Sequence, residues 1–295
     1  MSTGGYPTGD HFLGDLGVDT EVTSDTSATA RLRVTPHIIG ADGGVRAGVL
    51  ATLVDLVGGF LGVRVLQPDW MATADLTVQV VRPVTGPGVE ARASVLRRGR
   101  TTLVIEAFIF SLPDRSSASR IDDGDPAAWA TLTFAILPAA NGTPTIQVPT
   151  DAPNRWSLSG PGFDGPITDA LRISDDGAGE GRLSMPRHPY LLNSLGAVQG
   201  GAMALLAETA AAAALSTAVG IGPGRVVVTD LRVAYLALGR VGPIVSRATV
   251  LDAGNGPAGL SATVELIDTG ADDRLTTVVT VGATAAVPMI AGLSA

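Results

Sequence analysis

Two long apolar stretches, each interrupted by a single carboxylate, restrict what this chain can fold into. The only charged residue within positions 47–63 is Asp55, and the only charged residue within positions 189–224 is Glu208. A carboxylate that is buried without a partner destabilises a protein by several kcal/mol. The fold must therefore supply either a partner or a chemical role for each of these two groups.

Both stretches predict long helices, at about residues 47–66 and 200–219. Apolar residues cover every face of each helix, so both helices are expected to be buried on most sides. The run over residues 197–219 is long enough to span a membrane. It consists mainly of Ala and Gly and carries Glu208 near its middle, which favours a buried helix at the centre of a domain over a membrane span.

The composition is that of a globular protein, with 45% hydrophobic and 16% charged residues in a chain of 295, a length typical of about two domains. The net charge of −8 argues against a nucleic-acid partner. The absence of Cys excludes disulfides, thiolate nucleophiles and Cys-ligated zinc, and the three His lack a metal-binding spacing. The first residues lack a signal-peptide pattern, so we expect a cytoplasmic protein.

The order of the predicted elements repeats along the chain. Each half reads as one or more strands, a loop, a long buried helix and four further strands; in the second half a hairpin of residues 167–174 and 179–185 comes first. Glu208 follows Asp55 by 153 positions, and Gln199 follows Arg46 by the same interval. A repeat of this length indicates a duplicated domain. We predict α+β domains at residues 11–138 and 163–290, joined by a linker at residues 139–162.

Each predicted helix begins in a glycine-rich segment and carries its carboxylate nine residues further on. Free backbone N–H groups at a helix N-terminus stabilise a developing negative charge. Nine residues correspond to about 13 Å of helix rise, so the N-terminus and the carboxylate of one helix cannot meet at one atom. If the halves pack as pseudo-twofold mates, the N-terminus of one helix can face the carboxylate of the other, which would form a composite site.

The residues around the second helix resemble those of a known family. The pattern Asn-x-x-Gly-x-x-[His]-Gly-Gly-x-x-x-x-Leu-x-[Asp/Glu] is similar to that of the hotdog-fold acyl-CoA thioesterases, those of the phenylacetate pathway in particular. In that family a sheet wraps a long helix, and two hotdog domains pair to form sites across their interface.

The resemblance implies a fused double hotdog packed as a pseudo-twofold pair, which hydrolyses an acyl-CoA to free acid and CoA. It implies no cofactor beyond the coenzyme A of the substrate. It is also compatible with a homo-oligomer, a dimer of double hotdogs.

The match to the family pattern differs between the two halves. The second half keeps the Asn, the Gly pair, the Leu and a carboxylate, at Asn193, Gly200, Gly201, Leu206 and Glu208. It has Gln199 at the position of the family's His. The first half keeps Leu53 and Asp55, but it has Arg46 at the His position and Gly40 at the Asn position.

Crosswise pairing of the halves predicts one intact and one degenerate site. On the strand after the helix, where the family often has a Ser or Thr that orients the water, the first half has Thr73 and the second has Val228. The intact site therefore combines the second half's helix N-terminus with the first half's carboxylate and hydroxyl. Its predicted catalytic residues are Asp55, Asn193, Gln199, Gly200 and Thr73. The opposite combination, Arg46 with Glu208, is the predicted degenerate site.

Substrate contacts are expected from Gly201 and from three arginines. Arg97, Arg98 and Arg100 flank a predicted hairpin turn, and guanidinium groups suit the phosphates of coenzyme A.

Alternative interpretations stay open for these residues. Asp55 and Glu208 are also compatible with structural ion pairs, Asn193 with a turn cap, Thr73 with an ordinary strand residue, and the arginines with a solvated turn. The main alternative function is a non-catalytic acyl-CoA-binding or lipid-binding double hotdog, because Gln199 cannot shuttle a proton as His does. A hydratase is disfavoured, since hotdog hydratases depend on a catalytic His and neither helix carries one.

Overall fold

The computed structural model of the protein describes residues 10–113, 125–139, 154–175, 181–222, 224–254 and 259–286. The elements of the first half are α1 (Phe12–Leu16), β1 (Val18–Val22), β2 (Ser27–Arg33), α2 (Ala47–Leu66), β3 (Trp70–Val80), β4 (Gly88–Arg98), β5 (Thr102–Leu112), β6 (Ala128–Leu137) and β7 (Asn154–Ser157). Those of the second half are α3 (Ile167–Ala170), β8 (Ser174–Asp175), β9 (Leu183–Met185), α4 (Gly200–Val219), β10 (Val226–Tyr235), β11 (Ile244–Asp252), β12 (Leu260–Asp268) and β13 (Arg274–Ala285).

The strands form one 13-stranded sheet, in the order β7-β1-β2-β4-β5-β6-β3-β10-β13-β12-β11-β9-β8, and all neighbours pair antiparallel. Strands β3 and β10 lie in the middle and join the two halves. Helix α2 packs on strands of the first half, α4 packs on strands of the second half, and the two helices pack on each other. This arrangement confirms the predicted α+β double-hotdog fold.

The pairing of β3 with β10 gives the molecule its local twofold symmetry. Asp75 pairs with Ala234, and Gln79 pairs with Asp230. Asp230 follows Asp75 by 155 positions, and Ala234 follows Gln79 by the same number. Exchanging the halves therefore maps this ladder onto itself, as expected for two domains that arose from one unit and pack as pseudo-twofold mates.

Helices α2 and α4 have the predicted bounds. Pro68 follows the last turn of α2 and cannot continue a helix, and Gly220, with φ of 68°, closes α4 by donating its N–H to the Ser216 carbonyl. By length and hydropathy alone either helix could cross a membrane, but 61% and 67% of their most apolar windows are buried inside the protein. Burial of this extent is typical of core helices.

The loops that lead into the two long helices have the same backbone structure. An isolated bridge joins Ile39 to Val45, and another joins Leu192 to Val198, 153 positions later. Before each helix, a bend glycine has positive φ, at 77° and 72° respectively. The shared geometry places the first turns of α2 and α4 in equivalent positions on either side of the local twofold axis.

The structure differs from the sequence prediction at the start of the second half. Residues 167–174 are predicted as a strand, but Ile167–Ala170 forms a helical turn that is anchored by buried Ile167. Only Ser174–Asp175 pairs with β9. Strand β7, which falls within the predicted linker, pairs with β1 at the edge of the sheet. Residues 140–153 of that linker, and residues 287–290 of the predicted second domain, lie outside the described residues.

The helices α2 and α4 approach each other closely because each presents a glycine in its first turn. A Cβ atom on Gly201 would lie 2.2 Å from Thr52 Oγ1 and 2.7 Å from Thr52 Cβ, and a Cβ atom on Gly48 would lie 3.0 Å from Leu205 Cα. Gly48 and Gly201 occupy equivalent positions in the two halves. This close packing sets how near each carboxylate comes to the opposite helix.

We expect Gly201→Ala to lower the free energy of unfolding by about 1–3 kcal/mol, because the added methyl group forces the helices apart. The measurement is denaturant unfolding. Gly59→Ala is the matched control, because Gly59 also lies within a long helix but has no atom within 4 Å of its Cβ position. The control should keep or raise stability, by up to about 1 kcal/mol. An equal loss in both variants would contradict the role assigned to the helix contact.

Candidate active site

Asp55 lies in the middle of α2, and Thr73 on the adjacent strand β3 binds its carboxylate. The Thr73 hydroxyl donates a hydrogen bond to Asp55 Oδ1 at 2.7 Å. A β-bulge between Thr73 and Asp75 makes this contact possible, because it places Thr73 opposite the buried Phe134 on the helix-facing side of the sheet. Without the extra residue, strict alternation would turn Thr73 to the other face.

The N-terminus of α4, from the other half of the chain, lies beside this carboxylate. A Cβ atom on Gly200 would be 3.3 Å from Asp55 Oδ2 and 3.1 Å from the Tyr235 hydroxyl. A side chain at this position would therefore fill the space next to Asp55. The first-turn N–H groups of a helix have no intrahelical acceptor, so the N-terminus of α4 offers donors and a positive dipole end close to Asp55.

Asn193 and Gln199 belong to the loop that shapes the start of α4. The side-chain oxygen of Asn193 accepts hydrogen bonds from the N–H groups of Leu195, at 2.9 Å, and Ala197, at 3.1 Å. Gln199 is the N-cap residue, and its backbone N–H donates to the Leu191 carbonyl at 2.8 Å. The contacts of Asn193 are those of a residue that orders the loop.

Helix α1 of the first half holds the same loop from outside. His11 Nε2 lies 2.8 Å from the Leu192 carbonyl oxygen, and the Tyr190 hydroxyl donates to Asp15 Oδ2 at 2.8 Å. The Leu13 N–H donates to His11 Nδ1, so the ring proton is on Nε2, where it can donate to Leu192. Burial lowers the pKa of His11, which favours this neutral form.

The environment changes the acid–base properties of the two titratable groups at the site. Burial raises the pKa of Asp55 from 3.8 to about 6, while the hydrogen bond from Thr73 acts in the opposite direction. Burial, and secondarily the charge of Asp55, raise the pKa of Tyr235 well above 10. A carboxyl group with a pKa near 6 can accept a proton near neutral pH, whereas the tyrosine stays protonated.

At the opposite location, the N-terminus of α2 is occupied by the carboxylate of Glu208. Glu208 Oε1 accepts from the Ala47 N–H at 3.0 Å, and Oε2 accepts from the Gly48 N–H at 3.3 Å. Arg46 donates from Nε to Glu208 at 3.1 Å and from Nη2 to the Thr209 hydroxyl at 2.8 Å. Glu208 therefore occupies the first-turn donors of α2.

The two locations also differ in accessibility. Asp55, Thr73, Gly200 and Tyr235 each keep part of their surface exposed. At the opposite location Glu208 is 5% exposed, Ala47 2% and Val228, the counterpart of Thr73, 6%. The carboxylate and the helix N-terminus are therefore more accessible to a ligand at the first location than at the second.

The other predicted binding residues do not meet at Asp55. Gly201 faces Thr52 of α2, so its Cα lines the helix contact.

Arg97, Arg98 and Arg100 are exposed at the β4–β5 turn. Arg98 pairs with Leu103, and the row continues through Phe134 to Thr73. At about 4.8 Å between strands, the row puts Arg98 about 14 Å from Thr73, on the same face of the sheet.

Tyr235 is the site residue that the sequence analysis missed. It is the last residue of β10, and its hydroxyl donates to the Gly200 carbonyl at 3.0 Å. Alignment of the halves on the β3–β10 interval of 155 would have placed it opposite Val80. The difference between Tyr235 and Val80 could have been noticed in the sequence. The residues that contact a strand end, however, are known only once the pairing of the strands is known.

Among the residues that the structure describes, no group of three or more His, Asp and Glu side chains is arranged to hold a metal ion.

Comparison with known proteins assigns the family. The sequence model of the thioesterase superfamily matches residues 43–118 and 195–264, one segment in each half. Both halves of the chain belong to the thioesterase superfamily. Each matched segment includes the long helix, and together they contain Asp55, Thr73 and Gly200. No match was found among curated proteins.

Solved structures with the same fold extend over nearly the whole chain. A 12:0-ACP thioesterase from Umbellularia californica superposes with a TM-score of 0.56 at 10% identity, covering 88% of this chain and 94% of that one. An acyl-ACP thioesterase from Bacteroides thetaiotaomicron has a TM-score of 0.52 at 11% identity, covering 87% and 97%. A hotdog-fold protein of unknown function from Alicyclobacillus acidocaldarius has a TM-score of 0.52 at 14% identity, covering 88% and 94%. At these identities the likeness establishes the double-hotdog fold.

We expect Asp55→Asn to stabilise the protein above pH 6. Because the folded-state pKa of Asp55 is raised from 3.8 to about 6, wild-type stability falls as pH rises through this interval, and asparagine does not titrate. The gain should be absent near pH 4 and reach about 1–3 kcal/mol above pH 6. The measurement is denaturant unfolding as a function of pH.

Glu208→Gln is the matched control for this prediction. The Glu208 carboxylate is satisfied by two N–H groups and by Arg46, so neutralising it should lower stability, by about 1–3 kcal/mol near neutral pH. If both substitutions changed stability in the same direction, the difference between the two carboxylate environments would be refuted.

Proposed function

We propose that the protein is an acyl-CoA thioesterase with one working composite site. The observation that carries the proposal is the position of Asp55, from the first half, beside Gly200 at the start of the second half's helix. A base or nucleophile and a set of N–H donors are the two components that thioester hydrolysis requires. The site is also partly accessible to solvent.

In the proposed reaction the thioester carbonyl oxygen accepts a hydrogen bond from the Gly200 N–H. The Asp55 carboxylate takes a proton from water, whose oxygen attacks the carbonyl carbon. The oxyanion that forms is stabilised by the N-terminus of α4. When the C–S bond breaks, the proton on Asp55 passes to the leaving thiolate, and free acid and CoA result. Asp55 can instead attack the carbonyl carbon directly; the C–S bond breaks and the CoA thiolate leaves. Water then hydrolyses the mixed anhydride to the free acid and the Asp55 carboxylate, and the proton released passes to the thiolate.

Thr73, Asn193 and Gln199 support this chemistry from neighbouring positions. The Thr73 hydroxyl donates to Asp55, so its lone pairs remain to accept a hydrogen bond from the attacking water. Asn193 orders the loop before α4. Gln199, as N-cap of α4, offers an amide for substrate orientation, and the proton transfer is assigned to Asp55.

We infer that the opposite location, with Arg46 and Glu208, is inactive. The first-turn donors of α2 already bind Glu208, so they are not free to polarise a carbonyl. The same bonds, together with Arg46, occupy the carboxylate that would have to act as base. The counterpart of Thr73 there is Val228, which cannot hydrogen-bond a water molecule.

The three arginines at the β4–β5 turn are assigned to the phosphates of coenzyme A. The spacing of about 14 Å from Thr73 to Arg98 leaves room for an extended arm between the reacting carbonyl and a phosphate group. Gly201 is assigned a backbone contact with the substrate through its N–H. A cytoplasmic location, the absence of a cofactor other than the CoA of the substrate, and association into a dimer of double hotdogs stay predictions.

A panel of acyl-CoAs incubated with the protein, with free thiol measured, tests the function. We expect thiol release by the wild type, and a loss of at least about 100-fold in Asp55→Ala, because Asp55 is the carboxylate that lies beside Gly200 at the α4 N-terminus. Asn193→Ala should lose at least about tenfold.

Glu208→Gln is the control, and it should keep kcat/KM within about threefold provided that circular dichroism confirms folding. A comparable loss in Glu208→Gln and Asp55→Ala would sink the one-site proposal. Acyl-CoA binding without thiol release would favour the alternative, a non-catalytic acyl-CoA-binding double hotdog, because Gln199 replaces the family's His.

A further inference from the structure

Tyr235 lies where the sheet between the two halves opens. The last pair of the β3–β10 ladder is Asp75 with Ala234, and Tyr235 is the next residue. The chain stays bonded to β13 on its other side, since Tyr235 pairs with Thr277 and the N–H of Leu236 donates to the Thr276 carbonyl. Residues 70–74 of β3 continue without pairing to β10, and all of them are partly exposed. The phenol therefore stands at the mouth of the candidate active site.

The contacts of Tyr235 connect the two components of the site. Its hydroxyl donates to the Gly200 carbonyl at 3.0 Å. On the side of Gly200 where a Cβ would project, the Tyr235 hydroxyl and Asp55 Oδ2 are both neighbours, at 3.1 and 3.3 Å from that position. The ring thus covers the first turn of α4 at the point where it meets the carboxylate.

Comparison of the two halves separates this role from the needs of the fold. The interval of 155 positions that relates β3 to β10 makes Val80 the counterpart of Tyr235. Val80 is the last residue of β3, as Tyr235 is the last residue of β10. The strand end at Val80 therefore forms without a tyrosine. The tyrosine is found at the strand end that lies beside the accessible carboxylate, Asp55.

We propose that Tyr235 is a positioning residue of this site, with two separable actions. Its hydroxyl binds the Gly200 carbonyl and so holds the Gly200–Gly201 peptide, which keeps the first turn of α4 aligned with the carbonyl of a bound thioester. Its ring shields one side of Asp55 from bulk solvent, while the carboxylate's partly exposed side stays open to the reacting water. The first action rests on the proposed function, whereas the second is a property of the unliganded protein.

The ring's action is tested without turnover, by NMR titration of the Asp55 carboxyl carbon in protein labelled at aspartate. In the wild type we expect a pKa of about 6. Tyr235→Phe keeps the ring and should leave that pKa within about 0.3 units of the wild type, whereas Tyr235→Val should lower it by about one unit as water reaches the carboxylate. An unchanged Asp55 pKa in Tyr235→Val would overturn the claim that the ring shields Asp55 from bulk solvent.

The hydroxyl's action is tested by steady-state kinetics of Tyr235→Phe. We expect kcat to fall by about tenfold, with KM within about twofold, because the lost bond aligns a donor that acts in the transition state. Val80→Ala is the matched control at the equivalent strand end, and it should leave both constants within about twofold. Melting curves establish that all variants fold.

The outcomes separate the two proposals. If the wild type hydrolyses no acyl-CoA, the thioesterase function fails, while the titration still decides whether the ring shields Asp55. If the wild type hydrolyses acyl-CoA and Tyr235→Phe matches it in kcat and KM, the function stands and the positioning role of the hydroxyl is wrong.

Discussion

Each long helix of this protein carries one carboxylate, and each carboxylate lies at the N-terminus of the other helix. A charge buried in an apolar helix needs compensation that its own helix cannot supply, because its own N-terminus is about 13 Å away. For Glu208 the compensation comes from the N-terminus of the mate's helix, whereas Asp55 lies beside the mate's helix and accepts a hydrogen bond from Thr73 of its own half. The close contact of the two helices through Gly48 and Gly201 and the continuous ladder of β3 with β10 hold the halves at the distance that this exchange requires.

The duplicated arrangement has diverged by small chemical steps. Glutamate is one methylene longer than aspartate, and Glu208 reaches the N–H groups of Ala47 and Gly48 directly. Asp55 lies beside Gly200 and accepts a hydrogen bond from the Thr73 hydroxyl instead. The Glu208 carboxylate is therefore held by backbone N–H groups and by Arg46. The Asp55 carboxylate has a pKa raised to about 6 and is partly exposed to solvent. The two locations thus have similar backbones but different properties: Glu208 stabilises the helix contact, whereas Asp55 can take part in proton transfer.

Local irregularities in the strands decide which side chains reach the site. The bulge in β3 brings Thr73 to the helix-facing side, and β10 has a bulge at the equivalent position, where Val228 stands. The backbone feature is thus common to both halves, and the side chain determines whether it supports chemistry. Tyr235 follows the same rule, since its counterpart is Val80. Differences between the halves at equivalent backbone positions are the clearest indication of where function was kept.

Much of the fold could be read from the sequence because its signals are local. The two apolar runs give α2 and α4 with the predicted bounds, and the interval of 153 positions reveals the duplication. The crosswise arrangement of Asp55 and Gly200 could be predicted from helix geometry alone, because nine residues of helix separate groups that one site must combine.

Other features depended on the tertiary structure. Residues 167–170 alternate weakly, and their helical turn is stabilised by the burial of Ile167. The capping of α2 by Glu208 and the position of Tyr235 arise from contacts across the domain interface, and no local pattern encodes such contacts. The sequence by itself determined two helices, two halves and which carboxylates must be compensated. Only the tertiary structure decided that one carboxylate is sealed and the other accessible, because that outcome depends on distances of a few ångströms between residues far apart in the chain.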